Sequence, residues 1–141
     1  MLHDPTALAL DRAAAWLQTQ QARDGLLNGW RYHASWLAIP IFAANFGEDT
    51  RATRRLISSL GRALNDEWAP SMLASLLQWL LAAGYTPRTG LVAHAWELLE
   101  RSQAPDGSFA TEDEAESTVE ATLTALAVAR RLASRMDRRR G

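Results

Sequence analysis

The stretch that decides the fold spans residues 98–109 and reads Leu98-Leu99-Glu-Arg-Ser-Gln103-Ala-Pro-Asp106-Gly107-Ser-Phe109. Its pattern Leu-x3-Gln-x2-Asp-Gly occurs a second time, 82 residues earlier. Asp-Gly favours a tight turn, because glycine tolerates positive φ and the Asp side chain can bond its own backbone. A Gln amide beside that turn can hydrogen-bond the groups that helix ends leave unpaired. We therefore interpret both copies as structural connections between helices, formed by Gln21, Asp24, Gly25, Gln103, Asp106, Gly107 and Phe109.

A third and weaker copy lies halfway between these two. There Leu60 is followed by Asn65-Asp66-Glu67-Trp68, with the Gln and the Gly replaced. A period of about 41 residues is typical of helical repeat proteins. The chain is therefore predicted to form three helical hairpins within a single domain spanning 1–141. The three units are expected at about 5–46, 50–84 and 87–136.

The composition favours an all-α fold. The 141 residues include 26 Ala and 21 Leu, against three Val and three Ile. Ala and Leu are strong helix formers, whereas β-branched residues favour strands. Gly and Pro divide the sequence into six helical segments. The first is expected to run from Pro5 to about Gln21, and the fifth is expected to begin at Pro87.

Two residue types are absent, and their absence excludes several chemistries. Without cysteine the chain can form no disulfide, no thiolate zinc site and no thiol nucleophile. All fifteen Lys or Arg positions are Arg, which excludes a Schiff base and a phosphate-loop lysine. A net charge of -1 gives no electrostatic reason to expect nucleic-acid binding. Asp4 and Asp11 interrupt any apolar leader, so we expect a cytoplasmic protein.

The segments at 16–25 and 98–109 resemble the glutamine–tryptophan repeats of squalene–hopene cyclases and related terpene cyclases, whose helical repeat fold the prenyltransferases share. The first segment departs from that pattern, because Leu27 stands where an aromatic residue is expected and Trp30 follows three residues later. We expect Trp30 to pack over Gln21. The resemblance implies an α/α toroid of outer and inner helices, of which three hairpins form half.

The resemblance implies a function as well as a fold. It indicates a terpene cyclase-like protein that binds an apolar, isoprenoid-type ligand in an aromatic-lined concavity, or contributes half a cyclase site in an oligomer. The alternative is a non-catalytic helical-repeat module that binds a partner protein through the same face. An open arc exposes its inner helices, and large exposed apolar patches mark interfaces, so we expect a homodimer. Peripheral contact with a membrane is a further expectation, and no cofactor is expected.

Aromatic side chains are the candidates for the ligand site. Aromatic residues that line a concavity can hold an apolar ligand, and their alternative role is packing in the hairpin cores. Trp16 and Trp96 fall in outer helices and are expected to pack. The ligand-binding candidates fall in turns or inner helices: Trp30, Tyr32, His33, Trp36, Phe42, Trp68 and Trp79.

Acid-initiated catalysis would depend on the acidic segment 112–118. Glu114-x-Glu116-Ser-Thr imitates the Asp-x-Asp-Thr-Thr motif with which the resembled cyclases protonate their substrates. Clustered carboxylates raise one another's pKa, so Glu114 or Glu116 could serve as a general acid. The alternative is that these acids stabilise a helix N-terminus. The three histidines lack metal-ligand spacing and no Asp-Asp-x-x-Asp run occurs, so no metal site is predicted.

Overall fold

The computed structural model describes residues 5–109 and 115–137. Over these residues the chain is all-helical, as predicted, and contains no strand. Its six helices are α1 (Pro5–Thr19), α2 (Arg31–Phe46), α3 (Arg51–Ala63), α4 (Pro70–Ala82), α5 (Gly90–Arg101) and α6 (Ala115–Asp137). A lone antiparallel bridge joins Gln21 and Leu27. None of the described helices is both long enough and apolar enough to cross a lipid bilayer.

Two helix boundaries differ from the predicted ones, and each has a local cause. α1 ends at Thr19, because the next residues bond carbonyls three residues back and so tighten into a turn. α5 begins at Gly90 because Pro87 belongs to a separate turn. That turn is closed by the Thr89 N–H, which donates to Thr86 O at 2.9 Å.

The helices form two compact units, Met1–Ala63 and Leu64–Gly141, here called the first unit and the second unit. In the first unit α2 packs along α3, and α1 contacts α2. The core of this unit is built from Ile39 and Phe42 of α2 and from Leu56 and Leu60 of α3, all fully buried. The spacing of three or four residues within each pair places the side chains on one face of each helix.

α1 is less covered than the other helices of the first unit. Ala14 is buried, but Leu8 and Leu10 are more than half exposed and Trp16 is 61% exposed. The expectation that Trp16 packs is therefore not met. The cause is that α2 is the one helix of this unit that packs closely against α1.

α4 is the central helix of the second unit and packs against both α5 and α6. A helix that is apolar around most of its circumference is expected to be buried. The buried side chains of α4 include Leu73, Leu76, Leu77, Leu80 and Leu81. The neighbouring helices complete this core with Val92, Leu99 and Val128. The half-toroid that the resemblance implies stays a prediction.

Candidate functional site

The first copy of the repeat folds into a tight turn over residues 21–27, called the first turn. The Ala22 N–H donates to Leu26 O at 2.7 Å, and the Gly25 N–H donates to Ala22 O at 2.9 Å. The Leu26 N–H donates to Asp24 Oδ1 at 3.0 Å, which is the local bond that Asp makes in such turns. Gly25 has a φ of +94°, a left-handed conformation that glycine adopts without steric cost.

The last copy forms the same turn over residues 103–109, called the third turn. The Ala104 N–H donates to Ser108 O and the Gly107 N–H donates to Ala104 O, both at 2.8 Å. The Ser108 N–H donates to Asp106 Oδ1 at 3.0 Å, and Gly107 has a φ of +93°. The first and third turns are therefore closed by the same set of hydrogen bonds.

Asp106 accepts a hydroxyl hydrogen bond that Asp24 lacks, whereas Asp24 forms an ion pair with Arg31. The Ser108 hydroxyl donates to Asp106 Oδ1 at 2.7 Å, beside the bond from the Ser108 backbone. Both bonds favour the charged carboxylate, and the hydroxyl has the larger effect. The pKa of Asp106 therefore lies below its ordinary value of 3.8.

The weaker middle copy keeps one of these bonds. Over residues 65–68, called the second turn, the Glu67 N–H donates to Asn65 Oδ1 at 2.8 Å. This is the bond that the Asp accepts in the other two turns. Trp68 ends the second turn and is buried, and the same position of the first and third turns is filled by buried Leu27 and Phe109. An apolar anchor after the turn therefore recurs in all three copies.

The two repeat glutamines have different surroundings. Gln21 Nε2 donates to Gly25 O at 2.8 Å and also to Ala52 O, at the start of α3, at 3.0 Å. Gln103 Nε2 donates to Gly107 O at 3.0 Å, and its side chain is exposed. Gln21 therefore connects its turn to another helix, whereas Gln103 braces its own turn.

Two further side chains of α3 hold the first turn in place. The Arg55 guanidinium donates through Nη2 to Ala22 O at 3.1 Å and to Arg23 O at 2.7 Å. The Ser59 hydroxyl donates to Asp24 O. Three consecutive carbonyls of the turn thus each accept a hydrogen bond from a side chain of α3.

The residues of α3 that contact the first turn form one surface. Ala52, Arg55 and Ser59 are three and four residues apart and so lie on one face of the helix. We call these three residues the α3 docking face. A Cβ on Gly25 would lie 2.6 Å from Arg55 O and would overlap the Ser59 hydroxyl. The close approach of the turn to α3 therefore requires glycine independently of its φ.

Leu27, and not Trp30, fills the position beside the first turn. Leu27 is 2% exposed, whereas Trp30 is 83% exposed. The Leu27 N–H donates to the buried Ser35 hydroxyl at 2.9 Å, which fixes this residue against α2. The expectation that Trp30 packs over Gln21 is therefore wrong. Leu27 occupies the same place after the Gly as Phe109 does in the third turn, and this register decides which residue is buried.

An apolar cleft of about 450 Å³ lies in the first unit between α1 and α2. Its volume is within the range of small-molecule pockets, about 300–1,000 Å³. Trp16 and Leu37 line it and remain partly open to solvent, at 61% and 39% exposure. The rest of the wall is formed by Leu17, Gln20, Leu27, Asn28, Gly29, Ala34, Ala38 and Ile41. Among the described residues, no acidic, Arg or His side chain lines the cleft.

None of the seven aromatic candidates lines this cleft. In the first unit, Trp36 and Phe42 are buried, whereas Trp30, Tyr32 and His33 are exposed. The His33 ring centroid lies 6.3 Å from that of Trp30 and 5.4 Å from that of Trp36, so these three form a row along the start of α2. In the second unit, Trp68 is buried and Trp79 is half-buried.

This cleft was not predicted from the sequence, because Trp16 was expected to pack and the ligand-binding candidates were other aromatic residues. The signal that could have shown it is the pairing of Leu37 with Ile41 and of Ala34 with Ala38 on α2. Residues four apart share a helix face, so two apolar residues beside two small ones make a shallow apolar groove. Its other wall is part of α1, and that pairing of helices is not readable from local sequence.

The acidic candidates add no group to the described site. Glu114 lies outside the described residues, and the side chain of Glu116, in the first turn of α6, lies outside them as well. Among the residues that the structure describes, no three His, Asp or Glu side chains are grouped so that they could hold a metal ion.

Comparisons of the chain with protein-family models, with curated proteins and with solved structures return no match. The support for a function therefore comes from this chain's own residues and geometry.

Proposed function

We propose that this chain binds a neutral apolar ligand of the isoprenoid class in the cleft between α1 and α2. The observation that carries the proposal is the apolar wall of this cleft, with Trp16 and Leu37 exposed along it. A bound ligand would remove this apolar surface from water, which is favourable. The flat ring of Trp16 also offers a large contact area to an unsaturated chain. The resemblance of the repeats to those of terpene cyclases supports the same ligand class.

The lining also indicates the polar group that the ligand carries. Gln20 and Asn28 meet at the turn end of the cleft, where the Asn28 N–H donates to Gln20 O at 3.0 Å. Their side-chain amides can hydrogen-bond a hydroxyl or a carbonyl group. None of the described residues that line the cleft is an Arg, the usual partner of phosphate, so a diphosphate would lack a cationic partner there. An isoprenoid alcohol or ketone is therefore favoured over a prenyl diphosphate.

The length of the apolar wall is compatible with a short chain. From Ala34 to Ile41 the helix rises about 10 Å at 1.5 Å per residue. The proposal is for binding alone, because none of the described residues that line the cleft has a carboxylate to act as a proton donor. A cyclase activity, or half a cyclase site in an oligomer, would need an acid from another part of the protein.

Calorimetric titration with farnesol tests the proposal. We expect saturable binding to the full chain and weaker binding of the corresponding diphosphate. Trp16→Ala should weaken farnesol binding about tenfold or more, because a large apolar surface is lost from the wall. The matched control is Trp30→Ala, which removes an exposed Trp of the same unit that lies outside the cleft. Equal weakening by both variants, or no binding of farnesol, would contradict the proposal.

A role in protein interaction is the second candidate, and α6 favours it. Val119, Leu123 and Leu126 are 60%, 60% and 53% exposed. They are spaced by four and three residues and therefore form one apolar row along the helix. Helices with such an exposed row commonly bind a partner through it. We propose that α6 is an interaction surface.

A further inference from the structure

We infer that the partner bound through α6 is a second copy of this chain, held by the contact that the first turn already makes with the α3 docking face. In that contact a Gln amide, an Arg guanidinium and a Ser hydroxyl join a tight turn to a helix. Both halves of the contact occur a second time in the second unit. The inference rests on the proposed interaction function and is independent of the ligand cleft, which belongs to the first unit.

The third turn is the second copy of the turn half. It has the hydrogen bonds and the glycine conformation of the first turn, but Gln103, Pro105 and Asp106 are exposed. A Cβ on Gly107 would meet one described atom, Gln103 Nε2, at 4.0 Å. Among the described residues, no Arg or Ser side chain donates to the carbonyls of 104–106 as α3 does to those of 22–24. The third turn therefore offers the same bonding groups without a helix against them.

α6 carries the second copy of the helix half. Ala127, Arg130 and Ser134 repeat the Ala-x2-Arg-x3-Ser spacing of the α3 docking face. We call these three residues the α6 docking face. All three are exposed, whereas Ala52 and Ser59 are buried in α3, where the first turn covers them. The exposed apolar row described above continues this face toward the start of α6.

In one chain the third turn is attached to α6 at a different place from the α6 docking face. The third turn is anchored near the start of α6 by the Phe109 N–H, which donates to Thr122 Oγ1 at 3.0 Å. The α6 docking face begins at Ala127, more than one helical turn further along, and extends to Ser134. The proposal therefore takes the helix that covers the third turn from another molecule.

A second copy supplies both missing parts at once. Each molecule contributes one third turn and one α6 docking face, so each turn of one copy can face the helix of the other. Such a reciprocal pair is closed and has twofold symmetry, the commonest arrangement of soluble homo-oligomers. In it, Gln103 donates to Ala127 O of the second copy, Arg130 donates to the carbonyls of 104 and 105, and Ser134 donates to that of 106.

Light scattering of the full chain without ligand measures the association. The chain has a mass of 15.6 kDa, and we expect twice this value at micromolar concentration. Gln103→Ala and Arg130→Glu should each weaken the dimer about tenfold or more, because each removes an interface hydrogen bond that occurs twice in a twofold pair, and the bonds of Arg130 are also charge-assisted. Arg88→Glu, an equal charge change on an exposed Arg in the turn that precedes α5, should leave the mass unchanged.

Cross-linking tests the reciprocal geometry. The chain contains no cysteine, so an introduced thiol is unique. Pro105→Cys and Ser134→Cys are prepared as separate proteins, because these positions match Arg23 and Ser59 of the internal contact. A short bis-maleimide is expected to link a mixture of the two and to link neither protein efficiently by itself. Efficient linking of one variant to itself would place a different interface between the copies.

Two results would overturn the inference. One is a monomer mass at every concentration reached, and the other is a dimer that keeps its affinity in Arg130→Glu. Circular dichroism accompanies each variant, and Arg130 lies on an exposed helix face, so this variant is expected to fold even if Gln103→Ala does not. A chain that dimerises without binding farnesol contradicts the ligand proposal alone, and a monomer that binds farnesol contradicts this inference alone.

Discussion

The two turn glycines of this repeat, Gly25 and Gly107, are required for different physical reasons. Gly25 and Gly107 have nearly equal φ values, +94° and +93°. At Gly25 a side chain would also collide with α3, since its Cβ would lie 2.6 Å from Arg55 O. At Gly107 the space is open, apart from Gln103 Nε2 at 4.0 Å. The backbone conformation requires both glycines, and close packing requires only the first.

Replacing the two glycines separates these causes. Gly107→Ala is expected to lower the free energy of unfolding by about 1–2 kcal/mol, the cost of a left-handed backbone for a residue with a Cβ. Gly25→Ala should cost a further 1–3 kcal/mol or so, because α3 must shift to make room. Urea denaturation in the Arg130→Glu background, where we expect a monomer, measures both. Equal losses would show that the contact with α3 does not constrain Gly25.

Asp106 gives a second prediction for single residues. Its pKa is below 3.8 because Ser108 donates two hydrogen bonds to the carboxylate, the hydroxyl bond having the larger effect. The resulting stabilisation is present above pH 3.8 and is lost as the pH falls through the lowered pKa. Ser108→Ala should return the pKa toward its ordinary value. Carboxyl NMR titration checks this, and Asp24, which pairs with Arg31 and does not contact Ser108, is the internal control for the substitution.

At the level of helices and turns, the sequence predicted the features that residues close in the chain determine. The helix positions follow from Gly, Pro and turn residues, and all six helices occur where these predict them. The errors concern contacts between segments that are distant in sequence. Trp16 was expected to pack and is exposed, and Trp30 was expected beside Gln21, where Leu27 lies. Which helix covers a given face of another helix depends on the tertiary packing. Neither the composition of the chain nor the period of its repeat predicts that packing.

The contact between the first turn and α3 can be tested within one molecule. Arg55→Ala removes two charge-assisted hydrogen bonds to carbonyls of the first turn. Hydrogen exchange at Gly25 and Leu26 should then accelerate about tenfold, because the turn opens more readily when such bonds are lost. The matching amides of the third turn, Gly107 and Ser108, should be unaffected. Acceleration in both turns would indicate general loosening of the protein.

For the whole molecule, the period of about 41 residues predicts three equal hairpins, while the structure groups the six helices into two units. The boundary between Ala63 and Leu64 falls within the middle copy, where the Gln and the Gly of the motif are replaced. In the first copy Gln21 bonds α3 and Gly25 approaches α3 closely. The repeat in the sequence therefore predicts the number of helices but not which turn is joined to a neighbouring helix, since Gln103 of the intact third copy bonds only within its own turn among the described residues.

The open space at Gly107 also bears on how this sequence can diverge. Asn is the residue that, after glycine, most readily adopts the left-handed conformation, so a single folded chain has room for it at position 107. A second copy docked on the third turn would occupy that room, as α3 does at Gly25. Natural selection for folding alone would preserve glycine at 25 and let 107 drift toward Asn or Asp. Selection for the dimer would preserve both glycines. The residues found at position 107 among descendants of this chain would then show whether their ancestors acted as monomers or as dimers.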